Sequence, residues 1–379
     1  MKKLFGILLV MLCATSMSYA QADGIDALQS SDVDMTWNGA EKEKNVIKSG
    51  YCGSGVKYEL YDDYTLRIYG IGPMSSFGYW KEDAYHHNSV PWISEITKIK
   101  SVVIEDGVTH IGRESFHDCC ALTKVSIPNS VICIEFAAFK ECYALTEVTM
   151  PNSVKYIAGE AFWGCSSLAK VNIPNGITSI ESHAFAGCGF TELTIPSSVK
   201  SIEQGAFNAC KEITEITIPS SVKSIGRRSF AACPLGKANI SDGVTSIGDY
   251  ALFGTLLEYV KIGKDVTEIG DKAFRQWYDD DLVIEFTSET PATLYSVESF
   301  GYLCTIYVPE NALETYRNAE FWKDHADQIL PKEQTTGISS IGSEQSEKKT
   351  VIYDLQGHKV TEMQPKGMYI VNGKKVVMK

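Results

Sequence analysis

Residues 125–147 read VSIPNSVICIEFAAFKECYALTE, residues 148–170 read VTMPNSVKYIAGEAFWGCSSLAK, and residues 216–237 read ITIPSSVKSIGRRSFAACPLGK. One cysteine falls at the same place in each unit. The ladder Cys119, Cys142, Cys165, Cys188, Cys210, Cys233 runs at spacings of 23, 23, 23, 22 and 23. A fixed period in the twenties marks a stacked solenoid, whose units cannot bury an apolar face alone and do so against their neighbours.

The unit that begins at Leu193 shows the logic, with the apolar skeleton Leu193, Ile195, Val199, Ile202, Phe207, Cys210 and Ile213. Leu193 and Ile195 flank Thr194 with a period of two, which predicts a short strand with one buried face. Pro196 removes a ladder donor and ends that strand, and Ser197-Ser198 is turn chemistry. Val199 to Ile202 predicts a second extended piece. Ala206-Phe207 predicts a helical or tight-turn segment that drops the phenyl ring inward. The register continues upstream through Ile104, Val108, Ile111 and Phe116. Downstream, Leu252 and Phe274 hold the aromatic position, with Thr255 and Trp277 where cysteine is expected. About eight coils of 22–23 residues result.

The recurring pattern xxIPxSVxxIGxxAFxxC resembles the leucine-rich repeats of the BspA-like family, in which isoleucine and valine largely replace leucine. The resemblance covers residues 102–286. It implies a leucine-rich-repeat solenoid, β-rich, built from short strands and helical turns and closed by a cap at each end. It also implies a cell-surface or secreted protein of anaerobic bacteria, with adhesion to host matrix proteins or other cells as the expected role.

Residues 1–22 read as a secretory signal, with Lys2-Lys3, an apolar run from Leu4 to Leu12, and cleavage expected after Ala20, before Gln21, or after Ala22. The apolar run is too short to span a bilayer, which takes about 20 residues. Residues 23–49 form a polar tether. Residues 50–101 alternate apolar and polar positions around Asp62-Asp63 and predict an N-terminal β cap over the open strand edge. The solenoid occupies 102–286, and an atypical coil with a C-terminal cap follows over 287–331. Leu313, Tyr316, Phe321 and Trp322 are buried candidates there. A Ser/Thr/Gly-rich linker spans 332–349. The module 350–379 carries Asn372-Gly373 between MYIV and KKVVMK, a hairpin signal. By YDLQGHKV and the PKGMYIV run it resembles the C-terminal sorting modules of the type IX secretion pathway of Bacteroidetes, a short match that leaves sorting, surface retention and a vestigial domain open.

Composition narrows the function. The 379 residues carry a net charge of −12, which argues against a general nucleic-acid binder and against electrostatic docking on an anionic membrane. No GxSxG, HExxH, P-loop or GxGxxG motif occurs. Enzymatic activity, cofactor and metal are therefore not expected.

The cysteines admit two readings. Stacking brings neighbouring sulfurs near disulfide distance, and export permits oxidation. A linear ladder lacks the paired ligands of a metal site, and buried free thiols acting as small core residues are the favoured reading. His86-His87 with Glu82 and Asp83, and Tyr278-Asp279-Asp280-Asp281, were weighed as metal and calcium loops, with a solvated insertion preferred for both.

Surface columns are the remaining signal. Lys124, Glu147, Lys170, Glu192, Glu215, Lys237 and Tyr259 align along the first strands as a charge ladder. Lys155, Lys200 and Lys223, beside Thr178, Thr245 and Thr267, make a modestly basic column. Trp163 follows Phe162 and reads either as an exposed aromatic anchor or as packing against a neighbouring loop. Lys155, Lys200, Lys223, Trp163, Lys124, Lys170, Lys237 and Tyr259 are the candidate ligand contacts. The expected partner is a protein or glycoconjugate on host matrix or other cells. A structural surface-layer component, a targeting role, and an accessory domain of a glycan-processing system are the alternatives.

Overall fold

The computed structural model describes residues 44–78, 89–277, 282–301 and 304–332, and the strand residues 352–353, 359–360, 368–371 and 374–377. Three antiparallel strands, β1 (Val46–Tyr51), β2 (Val56–Tyr61) and β3 (Thr65–Gly70), come first. Strand β3 then pairs in parallel with Ser101–Ile104, and from there each winding lays its first strand beside the last. This first ladder resumes at Glu215–Ile218 and runs in parallel register through Leu282–Phe286 and Cys304–Pro309 to Ile329–Lys332. A second ladder follows Gly72–Pro73, Val108–Ile111, Cys133–Ile134 and Tyr156–Ile157, then Ser179–Ile180 to Thr293–Leu294. The solenoid has about ten coils, two more than the repeat pattern alone gives. The extra rungs come from the flanking segments, whose strands satisfy the ladder's end groups in the way another repeat would.

The third side of each winding is a tight turn rather than a helix, the second of the two forms expected for it. Two residues of left-handed backbone flank each core aromatic from Phe116 to Phe230, at the second place before it and the second after. Examples are Glu160 and Gly164 around Phe162 (φ 57° and 76°), and Ala137 and Glu141 around Phe139 (φ 53° and 60°). That geometry sends three N–H groups per winding toward the next one. In the Phe162 winding they are Glu160 N to Ser182 O, Phe162 N to Ala184 O and Gly164 N to Ala186 O, at 3.1, 2.8 and 2.8 Å. The side thus has an interwinding hydrogen-bond ladder of its own, which leaves few backbone groups unpaired.

Inside, the aromatic rings form a stack. Successive centroids from Trp92 through Phe116, Phe139, Phe162, Phe185 and Phe207 to Phe230 lie 5.1–5.8 Å apart with planes within 18°. All are fully buried. Leu252 interrupts the column, and Phe274 stacks on Phe300 beyond it. Trp92 closes one end, donating its indole N–H to Ser115 O at 3.1 Å. At the other end Trp322 donates to Ala292 O at 2.7 Å, and the helix Leu313–Asn318 sets Tyr316 against Ser288 O.

The cysteine ladder has a specific task. The thiols of Cys142, Cys165, Cys188, Cys210 and Cys233 donate to the carbonyls of Phe116, Phe139, Phe162, Phe185 and Phe207 in the preceding windings, at 3.1–3.2 Å. Among the described residues all ten cysteines are free thiols. Trp277 does not fill the cysteine slot of its winding. It is 61% exposed with its ring edge-on to Phe253, because the chain departs from the repeat at that point.

Separately, Met368–Val371 and Lys374–Val377 pair antiparallel, and Ile352–Tyr353 pairs antiparallel with Met368–Val371.

Candidate interaction surface

Stacking converts sequence period into columns, so each side of the solenoid is a separate surface. On the second-strand side, backbone bonds place Thr178, Lys200, Lys223, Thr245 and Thr267 in line, and Lys155 holds the same repeat position one winding before Thr178, its own N–H bonded to Ile132 O. Lys200 N donates to Thr178 O, Lys223 N to Lys200 O, Thr245 N to Lys223 O and Thr267 N to Thr245 O, at 2.7–2.9 Å. The three lysines are exposed. Lys155 Nζ donates to Asn152 O at 3.0 Å and Lys223 Nζ to Gly243 O at 3.1 Å. These are carbonyl contacts, which leave the charges in place, and Lys200 and Lys223 stand next to each other between Thr178 and Thr245. The lysine side chain at 155 also lies across Gly176, where a Cβ would stand 2.6 Å from Nζ.

On the first-strand side the register sets Lys124 opposite Glu147, Glu147 opposite Lys170, and Glu215 opposite Lys237. Signs alternate from rung to rung, so this face largely neutralises itself. Tyr259 follows Lys237 in the register and is half-buried, its hydroxyl donating to Glu285 at 2.8 Å. Burial, together with that carboxylate, pushes the Tyr259 phenol up to about 12. Lys332 also pairs with Glu285, so Tyr259 helps lock the last rungs together. Glu192 falls in an interruption of the ladder. Here Gly189-Phe190 replaces the three residues Ser166-Ser167-Leu168 of the previous winding, and no strand forms over 191–196.

Trp163 sits on the third side, 37% exposed, with Lys140 Nζ 4.0 Å from the ring centroid. Lys140 is in turn held by Glu160 at 2.8 Å. The indole is partly covered by a cation of the neighbouring winding, which is the packing alternative with an exposed edge left over. The structure therefore unites Lys155, Lys200 and Lys223. It sets them apart from Lys124, Lys170 and Lys237, and both groups apart from Trp163.

Two features were not singled out from sequence. Tyr250, Phe253 and Trp277 form an edge-on aromatic run, with centroids 5.3 and 4.9 Å apart, and Arg228 lies 5.2 Å from the Tyr250 ring. The signal was the repeat offset, since Phe253 and Trp163 both follow the core aromatic position. The second is the one convergent set of metal-ligating side chains among the described residues, His117, Asp118 and Glu141. The loops at His86-His87 and Tyr278-Asp281, and the cleavage residues Ala20 and Gln21, lie outside the described residues. Among the described residues no helix is long and apolar enough to cross a membrane.

With the windings and their columns established, comparison with known proteins is direct. A model of the BspA type leucine-rich repeat region matches six copies over 94–214, 178–284 and 200–319. The chain belongs to the BspA-type leucine-rich-repeat family. A search of curated proteins finds no match. Among solved structures, a leucine-rich cell surface protein from Faecalibacterium prausnitzii is similar at 22% identity, covering 76% of this chain and 95% of that one, with a TM-score of 0.40. A leucine-rich repeat protein from Bacteroides ovatus shares 18% identity over 74% and 98% of the two chains, TM-score 0.41. The pneumococcal vaccine antigen PcpA shares 13% over 76% and 100%, TM-score 0.43. Membership in the BspA-type family rests on the repeat match and on the winding pattern that produces it.

Proposed function

We propose that this BspA-type chain is an exported, non-catalytic binding or adhesion module that grips a protein or glycoconjugate through the second-strand side. The observation that carries this reading is the set Lys155, Lys200 and Lys223, exposed cations at one repeat position, of which Lys200 and Lys223 are hydrogen-bonded neighbours between Thr178 and Thr245. The first-strand side carries as many lysines but sets each beside a glutamate, so it offers a partner little net field. A rigid, extended array of cations, hydroxyls and amides suits an anionic, repetitive partner such as an acidic matrix protein or a sulfated or sialylated glycan. The amino-terminal signal pattern supports export, and the carboxy-terminal resemblance supports surface sorting.

The test is capture by the mature chain from host matrix, mucin and bacterial surface extracts. The triple variant Lys155→Glu, Lys200→Glu, Lys223→Glu is expected to lose capture at least tenfold with Tm unchanged, and capture by the parent to fall as salt rises. Undiminished capture by the variant would remove this side from the reading.

A further inference from the structure

We propose that His117, Asp118 and Glu141 form a binding site for a divalent first-row transition ion, with zinc(II) the ion that the donor set fits. The three sit on the third side of the solenoid, away from the lysine column. Asp118 and Glu141 hold the same repeat position, two places after Phe116 and Phe139, so stacking sets one carboxylate against the other. Their left-handed backbone (φ 61° and 60°) is fixed by Asp118 N to Lys140 O at 3.0 Å and Glu141 N to Trp163 O at 2.7 Å. His117 is 8% exposed and lies beside the pair, its Nε2 4.0 Å from Asp118 Oδ1. One ligand atom from each lies within 4.8 Å of the others. Zinc bonds of roughly 2.0–2.2 Å set tetrahedral ligands about 3.4 Å apart. Rotation of the half-buried Asp118 and Glu141 side chains closes that difference. Three protein ligands leave the fourth position to water.

The chemistry of the donors selects the ion. Calcium takes six to eight oxygens and magnesium a near-ideal octahedron with retained waters, whereas one imidazole with two carboxylates suits zinc and its neighbours. The charges around the site ask for a cation. Two carboxylates, Asp118 and Glu141, converge there with one imidazole. The nearest fixed cation, Lys140, is bound by Glu160 and lies over Trp163.

The experiment uses the full mature chain, stripped with chelator and titrated with zinc chloride by calorimetry, with Tm followed in parallel. One equivalent is expected to bind and raise Tm. Asp118→Asn with Glu141→Gln keeps side-chain shape and is expected to weaken zinc at least a hundredfold without lowering the metal-free Tm. Zinc affinity unchanged in this variant, or no zinc bound by the parent, overturns the site. X-ray absorption on the zinc-loaded parent, which needs no variant to fold, is expected to show a nitrogen and oxygen shell; sulfur in that shell would place the ion on thiols and overturn it too. Calcium chloride is expected to bind at least tenfold more weakly, and a preference for calcium would reject zinc.

Discussion

At the residue scale, the cysteines explain themselves through one hydrogen bond. Each aromatic residue of the third side directs its carbonyl into the core, and the thiol 25 or 26 residues later is the group that meets it. Alanine at that place removes the buried sulfur and with it the donor. Cys165→Ala is therefore expected to cost about 1–3 kcal/mol in chemical denaturation, and Cys165→Ser distinctly less, because serine still donates to Phe139 O. Burial also raises the thiols of Cys119, Cys142, Cys188 and Cys210 well above their ordinary value of 9.0. A native pH 8 labelling experiment should modify Cys120 and Cys133, which are half-exposed, long before the ladder. The linkage runs the same way. Thiols with a raised folded-state pKa contribute stability that is fully present below about pH 9 and is lost as pH climbs toward their folded values. Tm measured across pH 8 to 11 should fall on the alkaline side, and a flat profile would contradict burial of protonated thiols. The sequence showed the thiol period but not its purpose, since the partner carbonyl belongs to the backbone and has no letter of its own.

At the scale of the element, the third side depends on backbone conformation more than on side-chain identity. Gly187 has φ 70°, and a Cβ there would meet only Gly164 atoms at 3.5 Å or more. Space is available, so the strain of a substitution is conformational. Gly187→Val should cost about 1–2 kcal/mol and Gly187→Asn much less, read from denaturant midpoints. This side was the least legible part of the repeat. Glu160, Ala137, His183 and Arg228 all take left-handed backbone with side chains that ordinarily avoid it, so no glycine period announced the turn. The strands were legible because alternation at Leu193, Thr194, Ile195 and its equivalents is a side-chain signal. Even so, the strand expected at that unit does not form. Its winding is one residue shorter between cysteine and strand than the windings on either side, but length alone does not decide it, since the Cys233 winding is equally short and its strand Lys237–Ile240 pairs on both edges. The lysine column was readable from period alone. The pairing of Tyr259 with Glu285 was not, because the chain leaves the repeat at Trp277 and the period no longer fixes the register of Glu285.

For the molecule as a whole, stability is shared between neighbours, and weak places are local. Hydrogen exchange should show the amides of 191–196 exchanging faster than those of Glu215–Ile218, which hold full parallel pairing on the next rungs. Equal protection of the two segments would mean the ladder is continuous in solution. The ends are as necessary as the middle. Removing residues from 304 onward strips the strand that covers Leu282–Phe286 and uncovers Phe286 and Phe300, now packed against Trp322. Size-exclusion chromatography of that truncation should show association, whereas excision of residues 148–170, one whole winding, should leave a folded chain.

The N–H groups of the third side all face the same way along the axis, each row engaging the carbonyls of the winding that follows. Any winding thus presents the same socket to the one before it and the same plug to the one after. An in-frame duplication of one unit slots in without new contacts having to be invented, and each extends the molecule by about 4.8 Å. Reach toward a distant target can be lengthened or shortened in single steps while both lids stay as they are.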